Sequence, residues 1–138
     1  MKPIKVHLYL NKADGRTKAF YSSGIVICFI KSYDTTDKYT GNHVNKVLMK
    51  LNYLAKKGFY VDGNIIKYEW DGVHRIRVED TGRIIGFFDG TDKFIAIDSF
   101  IKNKQKLTKP QIAKINKVAK IKKDKLWIIG IGEADYEC

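Results

Sequence analysis

The side chains best suited to chemistry in this sequence are arginines, and they are scarce. Of 26 basic residues only four are arginine: Arg16, Arg75, Arg77 and Arg83. Three of the four fall in one short stretch, WDGVHRIRVEDTGRII, from Trp70 to Ile85. Lysine suffices for diffuse attraction to phosphate. Arginine is needed where a planar, forked donor holds a phosphate through two bonds or stacks on a base. It also keeps its charge when partly desolvated, as a site that stabilises charge on a reacting phosphate requires. If VHRIRVE is a strand, alternation puts Arg75 and Arg77 on one face with Val73 and Glu79, and His74, Ile76 and Val78 on the other. Arg83 opens the next strand across a hairpin turn, so three guanidinium groups are expected on or near one sheet surface. The competing reading is structural: Arg75 or Arg77 pairs across strands with Glu69, Glu79 or Asp80 and decorates a solvated face. For a single arginine that reading is as good. For a cluster in a lysine-dominated chain, phosphate handling is the better one.

The other reactive residue types form no constellation. His7, His43 and His74 are scattered without ligand spacing, so neither a metal nor a cofactor is expected. His74 faces away from Arg77 and reads as a core histidine, Tyr136 near the end is left unmatched, and no acid or base is assigned. Cys28 and Cys138 show no framework spacing and no CxxC; two reduced thiols are expected, one buried and one at the chain end.

Several elements must position the arginines. PIKVHLYL alternates Ile4, Val6, Leu8 and Leu10 against Lys5, His7 and Tyr9, as a half-buried strand does, and NKADG follows as a turn. SGIVICFIKSY is ambiguous: its β-branched content favours a strand, but a continuous apolar run fits either state. GNHVNKVLMKLNYLAKKG is a helix with an apolar stripe of Val44, Val47, Leu48, Leu51, Leu54 and Ala55, Asn42 as N-cap and Gly58 as stop. From Asn64 to Ile101, IIKYEW, VHRIRVE, RIIGFF and FIAIDSF alternate with Asp-Gly and Asp-Thr-Gly turns, predicting four successive antiparallel strands. TKPQIAKINKVAKIKK predicts a basic helix. Thr108 and Gln111 form a capping box, Pro110 sits in the first turn, and Ile112, Ile115, Val118 and Ala119 are the buried stripe. LWIIGIG is an extra strand or a packed tail, and EADYEC a loose end.

The chain of 138 residues is expected to be one domain, with 44% hydrophobic and 12% aromatic residues, enough to bury a core. Its longest apolar run, GIVICFI, is too short to span a bilayer and too far along the chain to read as a signal peptide, so a cytoplasmic location is expected, with no membrane partner. A net charge of +11 favours a polyanionic partner. Richness in Lys, Ile, Asn and Tyr, as AT-rich coding DNA gives, explains part of the lysine excess. It does not explain arginine, which such a bias depletes.

Three segments in order carry a resemblance. GVHRIR matches a GLYELR strand, GRIIGFF a YRILY-like strand, and FIKNKQKLTKPQIAKINKVA an FVKKTQKTP segment followed by a helix. With LMKLNYLAKKG upstream, the sequence resembles the RelE/ParE superfamily toxins, in particular their phage-derived, HigB-like branch. The match runs from about Val44 to Lys123 and is strongest from Asp71 to Pro110, with 124–138 as a C-terminal extension beyond the usual end. It implies an α+β, RelE-like fold: an N-terminal strand, two helices, an antiparallel meander sheet and a C-terminal basic helix. SGIVICFIKSY would then be the first helix.

The resemblance implies the toxin of a toxin–antitoxin pair that cleaves mRNA on the ribosome without a metal, the RNA's own 2′-OH attacking the adjacent phosphate. It places Arg77, Arg83 and Lys102 as the catalytic cations. Charge alone puts Arg75, Lys104, Lys106, Lys109, Lys114 and Lys117 against mRNA or rRNA, the lysines of the basic helix reading equally well as a solvated face. A small antitoxin, acidic or with a helix-turn-helix, would be the protein partner. Two departures, Arg75 at the family's glutamate and Asn103 at its second lysine, leave room for a catalytically inactive prophage regulator. A ParE-like gyrase inhibitor is the third reading.

Overall fold

A computed structural model describes residues 2–36, 38–41, 43–58, 65–130 and 138, with the backbone alone at 34–36 and 43–45. In chain order the elements are β1 (Ile4–Asn11), β2 (Ala19–Ser23), α1 (Gly24–Lys31), β3 (Asp34–Thr36), β4 (His43–Asn45) and α2 (Lys46–Lys57). There follow β5 (Ile66–Tyr68), β6 (His74–Val78), β7 (Gly82–Asp89), β8 (Lys93–Ile101), α3 (Lys109–Lys123) and β9 (Trp127–Ile129). Seven strands form one mixed sheet in the order β5-β6-β7-β8-β2-β1-β9, and β3 pairs with β4 separately. The architecture is α+β, with an open sheet between a layer of α1 and α2 and a layer of α3.

The four-strand antiparallel meander forms as its turn chemistry dictates. Asp71 and Gly72 both adopt positive φ, 51° and 81°, which a two-residue hairpin turn of the right twist requires. β1 and β2 pair antiparallel, but β2 runs parallel to β8 and β9 parallel to β1, which makes the sheet mixed.

The ambiguous apolar run divides. Its first residue, Ser23, ends β2 and caps α1, its Oγ accepting from the Val26 backbone N–H at 3.3 Å. Gly24–Lys31 is then helical because Val26, Ile27 and Ile30 fall on one side and bury against the sheet. Packing overrides the strand preference of β-branched residues here.

Other expectations are corrected. α2 begins at Lys46 and not directly after Asn42, since His43–Asn45 pair with β3; the expected cap at Asn42 lies outside the described residues, as does the Val44 side chain. Val47, Leu51, Leu54 and Ala55 do form the buried stripe, and Gly58, at φ 92°, ends the helix. In β1, Leu8 is exposed although it shares the face of Ile4 and Val6, and a bulge between Leu8 and Leu10 leaves both Tyr9 and Leu10 on the α1/α2 side. In α3, Ile112 is exposed and Gln111 is buried instead. The Gln111 side chain closes the capping box with Thr108 and donates to the Ile101 carbonyl at 2.7 Å, which draws that side of the helix onto the sheet.

The largest correction concerns the cysteines. They are not reduced thiols but a disulfide, Cys28–Cys138, joining α1 to the last residue across a separation of 110. LWIIGIG contributes the short strand β9, and residues 131–137 lie outside the described residues.

Two apolar clusters fill the two sides of the sheet. One gathers Val26 and Ile30 of α1, the α2 stripe, and Ile66, Ile76, Val78, Ile84, Phe88 and Phe94. The other gathers Ile115, Val118, Ala119 and Ile121 of α3 over Val6, Val73, Ile85, Phe87, Ile95, Ile97 and Phe100. Each fully buried side chain of this size contributes roughly 1.5–3 kcal/mol. Among the described residues no helix is long and apolar enough to cross a membrane.

Candidate phosphate-binding face

β6 serves two purposes through its alternation. Ile76 and Val78 are buried towards α1 and α2, and His74 is stacked edge-on between Tyr68 and Phe88, with ring centroids 5.3 and 5.0 Å away. Burial first, then the Lys122 charge, pushes His74 below the usual histidine range, against a backbone hydrogen bond with Gly72. Arg75 and Arg77 occupy the other face. Register then adds two more cations there: Arg77 lies directly opposite Arg83, and Arg75 opposite Lys67. The Arg83 partner on its other side is Phe100, and Lys102 follows two residues later, its N–H on the Thr81 carbonyl at 2.7 Å.

The three arginines do share a face, but they are not equivalent. Arg75 Nη2 lies 3.2 Å from Glu69 Oε1, with side-chain exposures of only 12% and 6%. Arg77 is half exposed. Its Nε donates to the Glu79 carbonyl at 3.3 Å, and its Nη2 is 3.6 Å from the fully exposed Asp80 carboxylate. Arg83 Nη1 donates to the carbonyls of Asp80 and Gly82, at 3.1 and 2.8 Å. Burial, then the charges of Arg75 and Arg77, pushes Arg83 below the usual arginine range, while Tyr33 and Asp80 oppose the shift. Lys102 is lowered by burial first, then by Arg75, Arg83 and Lys67, with Glu69 opposing. Its ammonium folds back onto the carbonyls of Lys104 and Gln105, at 2.8 and 2.7 Å.

The remaining basic residues divide around α3. Lys104 and Lys106 are exposed on the loop after β8, and Lys109 is exposed in the first turn of α3. Lys114 and Lys117 lie on the β8 flank of the helix, away from the arginines. Lys114 Nζ donates to the Ser99 carbonyl at 2.8 Å beside the buried Asp98, and Lys117 lines a cavity of about 300 Å³ with Pro3, Ile25 and Asp98. The opposite flank carries Asn116, which accepts from Trp70 Nε1 at 2.8 Å and ties the Asp71–Gly72 hairpin to α3. A larger cavity, about 630 Å³, lies there between Asp71 and Lys120, Lys122 and Lys123; neither cavity contains the arginines. Among the described residues no three His, Cys, Asp or Glu side chains come together as metal ligands.

The sequence reading passed over Lys67 and Tyr33. Lys67 was legible in principle, since a two-residue turn at Asp71–Gly72 brings it opposite Arg75. Tyr33 was not. It follows α1 and reaches the site from the far side of the sheet, where its hydroxyl lies so close over Gly82 that any Cβ there would collide with it. Burial, then Glu79, raises the Tyr33 phenol above its usual range, against Arg83.

The geometry therefore offers five cations and one buried carboxylate on one sheet surface. No curated protein matches the chain. Residues 35–120 match the family described as Phage derived protein Gp49-like (DUF891), which spans α2, the meander and most of α3. The chain belongs to this phage-derived family, whose members are of the RelE/ParE toxin type.

Proposed function

We propose that the protein is a HigB-like toxin that cleaves mRNA on the ribosome, held in check by an antitoxin. One observation carries this reading. Arg77 and Arg83 lie directly opposite each other in adjacent strands, with Lys67 and Arg75 as the neighbouring pair. Like charges directly opposite destabilise a sheet. Glu69 neutralises Arg75, but Arg77 and Arg83 face each other with only the exposed Asp80 carboxylate beside them, and that pair suits a ligand whose phosphate neutralises it.

In this reading the RNA backbone lies along β6 and β7. The 2′-OH of one nucleotide attacks its own 3′ phosphate and gives up its proton to water, a new O–P bond forms, and the bond to the next 5′ oxygen breaks, that oxygen leaving as a hydroxyl with a proton from water. Arg77 and Arg83 stabilise the charge on the five-coordinate phosphate. Removing one such donor costs on the order of a hundredfold or more in rate. Lys102 holds the neighbouring phosphate. Lys104, Lys106 and Lys109 continue the basic track from the loop into α3. Lys114 and Lys117 form a separate, rRNA-directed flank. An acidic antitoxin segment fits the same surface.

A binding-only regulator remains a second reading. It is favoured by Arg75 being held on Glu69 and by the Lys102 ammonium being folded onto its own loop. Induction of the chain in cells, with mapping of mRNA 5′ ends, separates the readings. Growth arrest with new, codon-phased mRNA ends is expected. Arrest without new ends would point to gyrase or another target, and growth without arrest to the regulator.

A further inference from the structure

Glu69 is the odd member of the basic face. Its side chain is only 6% exposed, and it lies against Arg75 among Lys67, Arg83 and Lys102. A carboxylate there lowers the positive potential that attracts RNA, so affinity does not explain it. Stability explains it poorly as well. A buried ion pair seldom outperforms apolar residues of the same volume, because both charges must be desolvated. The pair is also incompletely satisfied. Glu69 Oε1 and Arg75 Nη1 are buried and make no hydrogen bond among the described residues, although Oε1 is 3.2 Å from Arg75 Nη2.

What the arrangement supplies is a fixed position. The Glu69 backbone is tied in place, its N–H donating to the Val73 carbonyl at 2.9 Å across the Asp71–Gly72 turn. Its carboxylate therefore reaches Arg75 from a defined point just past the end of β5. A long, flexible arginine would otherwise swing out to solvent or onto the RNA. Held down, it keeps its charge beneath the two groups that follow it on the face.

We infer that Glu69 is a positioning residue: it pins the Arg75 guanidinium below the basic face, so that Arg75 acts on Arg83 and Lys102 through its charge and not by touching RNA. This rests on the RNA-cleaving reading and adds to it the role of a carboxylate within that site. Position 75 is also where the resembling motif carries its glutamate. In this chain the carboxylate comes instead from Glu69, in the connection between β5 and β6.

The test is a double-mutant cycle on the full chain, with programmed ribosomes as substrate. Glu69→Gln is isosteric and removes the charge. It is expected to lower the cleavage rate at saturation about tenfold, with KM unchanged or lower, since the face becomes more positive. In an Arg75→Gln background the same change is expected to have no further effect. An equal loss in both backgrounds, or a wild-type rate for Glu69→Gln, overturns the inference. Glu69→Asp keeps the carboxylate and is expected to fall between; it carries the test if Glu69→Gln fails to fold. If the wild-type chain cleaves nothing, the functional reading fails separately, and side-chain ¹⁵N relaxation of Arg75 decides the positioning claim. An ordered Nε–H that becomes mobile in Glu69→Gln upholds it, and equal mobility in both proteins overturns it.

Discussion

The two faces of the β6–β7 hairpin differ more than any two elements of the molecule. On one, Ile76, Val78 and Ile84 are almost fully buried under α1 and α2. On the other, Arg75, Arg77 and Arg83 crowd together within one or two residues of those same positions. The apolar face pays for the basic one: burial on one side holds like charges together on the other. The strand period of two makes this possible, and it also sets register firmly, because a one-residue slip would bury the arginines.

The comparison can be broken on either face, beginning with what anchors the apolar layer. Cys138→Ser, or reduction of the wild type, releases α1 from the chain end. For a closed loop of this length the chain-entropy account gives a loss of about 5 kcal/mol, measurable as a lower urea midpoint. Ile84→Ala removes a fully buried side chain beneath Arg83. It is expected to cost about 3 kcal/mol while leaving activity per folded molecule intact. Lys117→Gln, on the far flank of α3, should weaken ribosome binding a few-fold at low salt and reduce the salt slope by about one, without altering the cleavage step.

The smallest effect is a pH dependence from His74. Its folded pKa is lowered, so the unfolded chain takes up the proton first as pH falls. The contribution is complete above the unfolded value near 6.5 and is lost as pH falls through the lower folded value. A small drop in Tm between pH 7 and 5, reduced in His74→Phe, is the expected outcome.

Much of this was legible in the sequence because it rests on local chemistry. The Asp-Gly turn, the Thr108–Gln111 capping box and the alternation of VHRIRVE each need only a few neighbouring residues. What escaped depends on distant partners. The bulge that sets Leu10 beside Tyr9 depends on pairing with β2; the helical state of Gly24–Lys31 was reached through the family resemblance and not from periodicity, because it rests on burial against the sheet. The Cys28–Cys138 pair is joined across nearly the whole chain. At the site, the shared face of the arginines followed from period two. Their unequal roles did not, because the Arg75–Glu69 pair and the approach of Tyr33 over Gly82 are set by neighbouring strands and by a helix from the other layer.

The central claim is that Arg77 and Arg83 are held opposite each other to act on phosphate. The most direct measurement is the single-turnover cleavage rate of ribosome-bound mRNA by Arg77→Ala and Arg83→Ala, with thermal melts of the same samples. Each variant is expected to cleave on the order of a hundredfold more slowly while melting no earlier than the wild type, since a repulsive pair has been relieved. Full cleavage activity in both variants, or a loss of activity matched by a loss of folding, would contradict it.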